Sequence, residues 1–494
     1  MNSRMNFRNR WLQQSLPGTF MLVLLGTLSW PFNDALANDT ARQQASALPG
    51  PEVKWQIALA GDVIMNRRIA QFDNDQDPFF RDMANIIRTA DAAYLNMEQS
   101  IFRYSEFKGW PEAEYGGNWD YGPPEVATDL QAIGFSMFGR ANNHTTDYGV
   151  EGMRLTNQLL DELGIVHAGS GMNLGAASRP GYQDTARGRV ALISLATTFT
   201  PMSRAANPRP DAPGRPGLNA LRVDRKYVLD KKTFRGLQAV SSDIAGRILG
   251  AQSGSEVVDR DAPMSLFDGR IIELGSSSGI VDTINPIDQD RILREVRNAA
   301  DQADYVIVAS HTHEPGVNSL DSAPWFSEFA RMCIDAGATA VVVTGPHQLR
   351  GVEIYQGRPI FHSLGNFVFH NETVDPVAAD HYEKYGLPET ALVSDLYNAR
   401  YENGTIGYPA GSVWYESVIA VPQFKGTQLA ELRMYPIDLS QTAPRSQRGT
   451  PRLATGETAT AILNRLTELS AKLGTTLKTE KGVLVWRAQD HKGK

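Results

Sequence analysis

The 494-residue chain has a single cysteine, Cys333, so no intrachain disulfide can staple it and a disulfide scaffold is excluded. The thiol stands in the run Trp325 to Ile334, whose spacing predicts an amphipathic helix with Cys333 as an inert core residue. Positive charge is not in excess. Lys and Arg number 48 against 55 Asp and Glu, a formal charge of −7, which argues against a chain that wraps nucleic acid or coats an anionic membrane. There is no internal repeat, and beyond residue 37 no stretch is long and apolar enough to span a bilayer. With 42% hydrophobic and 21% charged residues, disorder and collagen-like repeats are excluded for the chain as a whole.

What is present begins with an export signal. Arg4, Arg8 and Arg10 precede an apolar stretch from Leu16 to Leu28, and Ala35-Leu36-Ala37 is a small-x-small cleavage site. Cleavage is expected after Ala37, giving a periplasmic or secreted protein; an uncleaved N-terminal membrane anchor is the alternative. No adjacent arginine pair marks twin-arginine export, and no cysteine follows the site to accept a lipid. Residues 38–52 read as a linker.

From residue 53 the chain alternates short apolar strands with amphipathic helices, as layered α/β domains do. Strands are expected at Trp55 to Ala60, Ala92 to Leu95, Phe135 to Phe138, Val190 to Leu195, Tyr305 to Ala309 and Ala340 to Val343. Helices are expected at Phe79 to Thr89, Glu125 to Ile133, Val150 to Leu163 and Ile292 to Ala303. Between about 200 and 286 the pattern weakens behind a series of prolines, which reads as a surface insertion within a domain spanning 53–440. Residues 372–411 read as an acidic, tyrosine-containing loop, 441–456 as a polar linker, and 457–494 as a helix and a hairpin about Lys481-Gly482.

Polar residues follow these strands at their C-terminal ends, where open α/β sheets place their sites. Asp62 comes directly after Ala58-Leu59-Ala60-Gly61. Asn96 and Glu98 stand two apart, a spacing that lets both face one side of extended chain. Arg140-Ala141-Asn142-Asn143-His144 and Asp147 precede a helix. His311 and His313 sit at alternate positions, and His347 follows another apolar strand. Carboxylates, amides and imidazoles at five successive strand ends are the donor types of a divalent metal site. Arg67, Arg68 and Arg140 follow site-bearing strands and are candidates to clamp an anionic group, or else solvated charges. Phe102 to Glu125 interleaves Phe107, Trp110, Tyr115, Trp119 and Tyr121 with acids, either to stack on a ligand or to pack on the domain.

The segments Gly61 to Arg68, Asn96-Met97-Glu98, Ala141 to Gly149 and Pro346 to Phe367 together resemble the CapA family of poly-γ-glutamate capsule proteins. The resemblance covers about Val53 to Phe369 in segments. It implies a calcineurin-like metallophosphatase fold, α/β in four layers: two packed β-sheets flanked by helices, with a metal site on the rim. It also implies that Asp62 binds one metal, Glu98 takes the bridging position and Asn143 binds a second metal. His311 and His347 match later histidine positions, His144 matches the proton donor, and Asp147 either fixes the tautomer of His144 or caps a helix. Asn96 and Asn366 lie within the matching segments and are expected near the substrate. Many relatives carry imidazoles where this chain has Thr344-Gly345, and His313 is expected to replace a lost ligand.

Two function classes follow. One is a metal-dependent hydrolase, using one or two Mn or Zn ions, that cleaves a phosphoester or a γ-glutamyl amide of an envelope or capsule polymer. The other is a non-catalytic component that binds an anionic polymer or a membrane synthase. Nucleic acid is not an expected partner.

Overall fold

The computed structural model describes residues 54–111, 119–249, 264–265 and 271–491. The export signal, its cleavage after Ala37, the 38–52 linker and Tyr115 lie outside the described residues.

Strand β1 (Trp55–Ile64) shows how the layers arise. Its residues are nearly all buried, as expected of a strand covered on both faces. Because side chains alternate, Trp55, Ile57 and Leu59 enter a core shared with a second sheet, while Ala58, Ala60 and Val63 enter a core shared with helices. Next come β2 (Ala92–Met97), β3 (Met137–Gly139), β4 (Gly188–Ala196), β5 (Tyr305–His311), β6 (Ala340–Thr344), β7 (Asn366–Phe369), β8 (Glu416–Lys425) and β9 (Gln428–Asp438). Among the described residues the larger sheet has ten strands. Its main path runs Lys478–Glu480, Val483–Arg487, β9, β8, β1, β2, β3, Val166–Ala168, with β7 also paired to β1. The other large sheet has six, ordered Val352–Tyr355, Arg358–Phe361, β6, β5, β4, Gly181–Thr185.

Helices α1 (Pro78–Arg88), α2 (Glu125–Ala132) and α3 (Gly149–Glu162) cover the larger sheet, and α4 (Pro286–Ala300) and α5 (Pro324–Asp335) cover the smaller one. In α1 the Asp77 side chain accepts from the Phe80 N–H, Pro78 takes the first turn, and Phe80, Met83, Ala84 and Ile87 form the buried stripe. Cys333 is fully buried in α5, among Phe329, Ala330 and Ile334. The result is the expected four-layer α/β fold of the metallophosphatase type.

Several expectations about the connecting segments are corrected. The 200–286 segment is not all surface: Leu218, Ala220 and Leu221 are buried, and Ala196 at the end of β4 exchanges backbone hydrogen bonds with Asn219 and Leu221. The rest builds its own sheet around Val223–Asp230, with Ile271–Gly275 and Gly279–Ile284 as neighbours. The 372–411 segment is not a loop. It carries the short helices Ala379–Lys384 and Val393–Arg400, with Tyr397 and Tyr401 packed into the core. Residues 441–456 are not a free linker either, because Arg452–Leu453 pairs with β9 and Arg448 bonds to Glu372 at 2.7 Å. The C-terminal hairpin adds to the main sheet, Val483–Arg487 lying beside β9. In the 102–125 segment Phe102, Phe107, Trp119 and Tyr121 pack around Tyr148, and Trp110 remains 76% exposed.

Candidate metal centre

Parallel pairing aligns the strand ends that carry the polar residues. Asp62 is in register with Asn96 on one side and Asn366 on the other, and Asn96 with Gly139. In the second sheet His311 is in register with Thr344 and with Ala196. The two rims therefore meet over one spot. Gly61 permits this approach: a Cβ there would lie 1.8 Å from the Gly365 carbonyl oxygen, which accepts the Asp62 N–H at 3.0 Å.

Asp62 is fully buried and held on both oxygens. Oδ1 accepts from the Asn96 amide at 2.8 Å, and Oδ2 accepts from the Gly345 N–H at 2.8 Å. Burial pushes its carboxyl upward, but the His311 hydrogen bond and the charges of His311 and His347 outweigh that and hold it well below the usual carboxylate range. Glu98 Oε1 lies 3.2 Å from His311 Nε2 and 3.7 Å from His347 Nε2. His311 Nε2 in turn lies 2.9 Å from His313 Nε2. Two donor groups result, each with its ligand atoms within 4.8 Å: Asp62, Glu98 and His311, and Glu98, His313 and His347. Glu98 belongs to both.

The donor set fits a cation. Both Glu98 carboxylate oxygens are buried and accept no hydrogen bond, an arrangement that costs free energy unless a positive charge sits beside them. A metal ion or a protonated His311 can supply that charge. Burial alone would lower His311, yet Glu98 and then Asp62 raise it to about 9. His313 moves the opposite way. Burial, then the charges of His311 and His347, push it well below its ordinary value, so the ring is neutral and its Nε2 can accept from His311 Nε2 at 2.9 Å or ligate an ion. Imidazole with carboxylate suits Zn or Mn.

His144 is nearly fully buried, its Nδ1 2.6 Å from Asp147 Oδ2 and its Nε2 3.3 Å from Asp120 Oδ2. Burial opposes the cation, but Asp147 and then Asp120 prevail and raise His144 to about 10. Asp120, desolvated by burial, is pushed up to about 6. Asp147 Oδ2 also accepts the Asp120 N–H at 2.7 Å, and α3 has no side-chain cap at its start.

A cavity of about 280 Å³ opens onto this array, lined among others by Asp120, Asn143, His144, His313, His347 and Arg350. Asn96 and Asn366 lie behind the ligands. Asn96 touches Asp62 and His311, and Asn366 bonds to His347. The three arginines expected to face substrate do not line the cavity. Arg68 pairs with Asp129 at 2.6 Å, Arg67 bonds to Thr373 and the Arg448 carbonyl, and buried Arg140 donates to the Met97 and Gln99 carbonyls. Each has backbone or acid partners nearer than the cavity. Sequence reasoning missed Asp120 as the partner of His144, as well as the cavity residues Arg350, Tyr408 and Trp414. Arg350 lay within the recognisable Pro346 to Phe367 segment, whereas the tyrosine and tryptophan come from far along the chain and carried no local signal.

Residues 56–371 match the family model described as bacterial capsule synthesis protein PGA_cap. The Sinorhizobium fredii proteins y4sH and y4uA are each 43% identical over 438 residues, covering 87% of this chain and 92% of theirs. The capsule biosynthesis protein CapA of Bacillus anthracis is 24% identical over 322 residues, covering 64% of this chain and 60% of its own.

Proposed function

The chain belongs to the family of bacterial capsule synthesis proteins, and from that premise we propose that it is an exported, metal-dependent hydrolase acting on phosphoester or γ-glutamyl amide bonds of an anionic envelope or capsule polymer. The observation that carries the reading is Glu98, a fully buried carboxylate that is common to both donor groups. Asp62, Glu98, His311, His313 and His347 would hold the ion or ions, with Asn143 as a further ligand implied by the family. A divalent cation there supplies polarisation of the scissile oxygen and a lowered pKa for an attacking water.

The chain's own residues do the rest. His144, charged at neutral pH, holds a proton on Nε2 at the cavity wall, where a leaving group can take it. Asp147 fixes the ring through Nδ1, and Asp120, itself at the cavity wall, pairs with Nε2 at 3.3 Å and would release it as a leaving group takes the proton. Among the described residues no helix is long and apolar enough to cross a membrane.

The test is metal analysis of the purified protein, followed by assay of the Mn- or Zn-loaded wild type and His144→Ala against an aryl phosphodiester, an aryl phosphomonoester and poly-γ-glutamate. His144→Ala should keep its metal and lose turnover by about 10²- to 10⁴-fold. Undiminished polymer binding with turnover by neither protein would replace the hydrolase with a binding component.

A further inference from the structure

Arg350 is the guanidinium that lines the cavity among the described residues, and it is 2% exposed. Its Nε donates to the Ser319 carbonyl at 3.1 Å, and Nη1 reaches the Glu314 carbonyl at 3.5 Å. No carboxylate among the described residues lies within ion-pairing distance of it, the charges of Asp321 and Glu314 acting on it only from farther off, whereas Arg331, Arg445 and Arg448 all pair with acids. Two carbonyl contacts orient a buried guanidinium but do not neutralise it. They also leave the outer edge, Nη2 with the remaining Nη1 hydrogen, without a bonded partner. That edge is the planar fork that takes two oxygens of a carboxylate or phosphate.

The position is built. Arg350 N–H bonds to the Ser363 carbonyl, and the flanking Leu349 bridges to Leu364, so the residue is anchored on the segment that carries the metal donor His347. The same cavity is lined by Tyr408, Trp414 and Phe369, where Tyr408 packs edge-on against both other rings.

We propose that Arg350 is a specificity-determining residue that binds a second oxyanion of the substrate, one not undergoing cleavage. The substrate class is then a compound with a carboxylate or phosphate beside the scissile group, as in a chain of repeating anionic units. The inference rests on the reading of this cavity as the substrate site. A lone ester or amide would leave the guanidinium buried without an anion; a substrate with two charged groups would fill both ends of the cavity.

The experiment uses the Mn-loaded full chain and three aryl phosphodiesters that differ in the second arm: ethyl, carboxyethyl and phosphoethyl. Wild type should prefer at least one charged arm to ethyl by about 10-fold or more in KM. Arg350→Gln should erase that preference, lowering kcat/KM for the charged esters by about 10-fold or more beyond any change for the ethyl ester, and Arg350→Lys should recover part of it. The ratio of carboxyethyl to phosphoethyl identifies the anion.

Equal loss on all three esters, or an intact preference in Arg350→Gln, would overturn the proposal. If wild type cleaves none of the esters, the hydrolase reading fails separately. The residue is then tested by calorimetric binding of a γ-linked glutamate pentamer and of glycerol phosphate. Arg350→Gln must weaken one of them by roughly 10-fold or more with melting temperature and metal content retained, and unchanged binding overturns the proposal. Should Arg350→Gln fail to fold, Arg350→Lys carries the same comparisons, with a smaller preference expected and an unaltered one decisive against it.

Discussion

Asn366 clamps His347 from two directions: its Oδ1 accepts the imidazole Nδ1–H at 2.8 Å and its Nδ2 donates to the His347 carbonyl at 3.1 Å. The first contact fixes the tautomer and turns Nε2 toward Glu98. The second steadies a backbone held at φ 56, a conformation a histidine seldom adopts.

Asn366→Ala should therefore lower metal affinity by about 10- to 100-fold, because it removes the orientation of a ligand and not the ligand. Competition titration with a chelating dye measures it. An affinity equal to wild type would mean that His347 does not depend on this clamp.

Glu98→Ala should go further and lose the metal altogether, since both donor groups contain this side chain. Elemental analysis after dialysis is the check. Wild-type metal content in the variant would reject the centre as described.

Gly345 stands at φ 107, and a Cβ on it would fall 2.8 Å from the His313 ring and 3.0 Å from the Thr312 nitrogen. Gly345→Ala should cost about 1–3 kcal/mol and weaken metal binding as His313 is displaced. Gly474, at φ 78 with open space around it, is the control: Gly474→Ala carries backbone strain without crowding. If both variants bind metal equally well, His313 is not positioned through Gly345.

The contrast between these residues shows what sequence could reveal. A strand covered on both faces reads as an apolar run, and the polar residues that follow it mark the rim, so Asp62, Glu98, His311 and His347 were legible as rim residues from position, and their metal roles from the family resemblance. Arg140 also follows such a strand, but its side chain turns back beneath the Met97 and Gln99 carbonyls. Chain position carries no information about that turn. Asp120 is one of the acids of the Phe102 to Glu125 segment. Only the fold brings it against His144, 24 residues later in the sequence. Tyr397 and Tyr401, four apart, did carry a helical signal, which the surrounding acids obscured.

His370 gives a pH dependence. It is buried, and burial together with the charge of Arg67 pushes its pKa well below the ordinary histidine range. The unfolded chain takes up a proton below about pH 6.5 while the folded chain does not, so stability falls with acidification, by up to about 1.4 kcal/mol per pH unit from this group. Urea unfolding at pH 7.5 and 5.5 should show a smaller difference for His370→Gln than for wild type. An identical difference would show that His370 protonates in the folded state.

Cys333 is fully buried, and burial pushes its thiol far above the ordinary range. A thiol-reactive dye at pH 8 should leave the native protein unlabelled and label it fully in guanidinium chloride. Labelling of the native protein within minutes would contradict the burial in α5.

The order of the strands has a consequence for how the ion is acquired. β1, which carries Asp62, is hydrogen-bonded to β8 and β7 from late in the chain as well as to β2, and the remaining donors arrive as late as His347. No growing or partly translocated chain can hold the complete set. An ion held by the proposed donor set would therefore enter only after the last strands have docked, and would come from the supply of the compartment in which folding finishes.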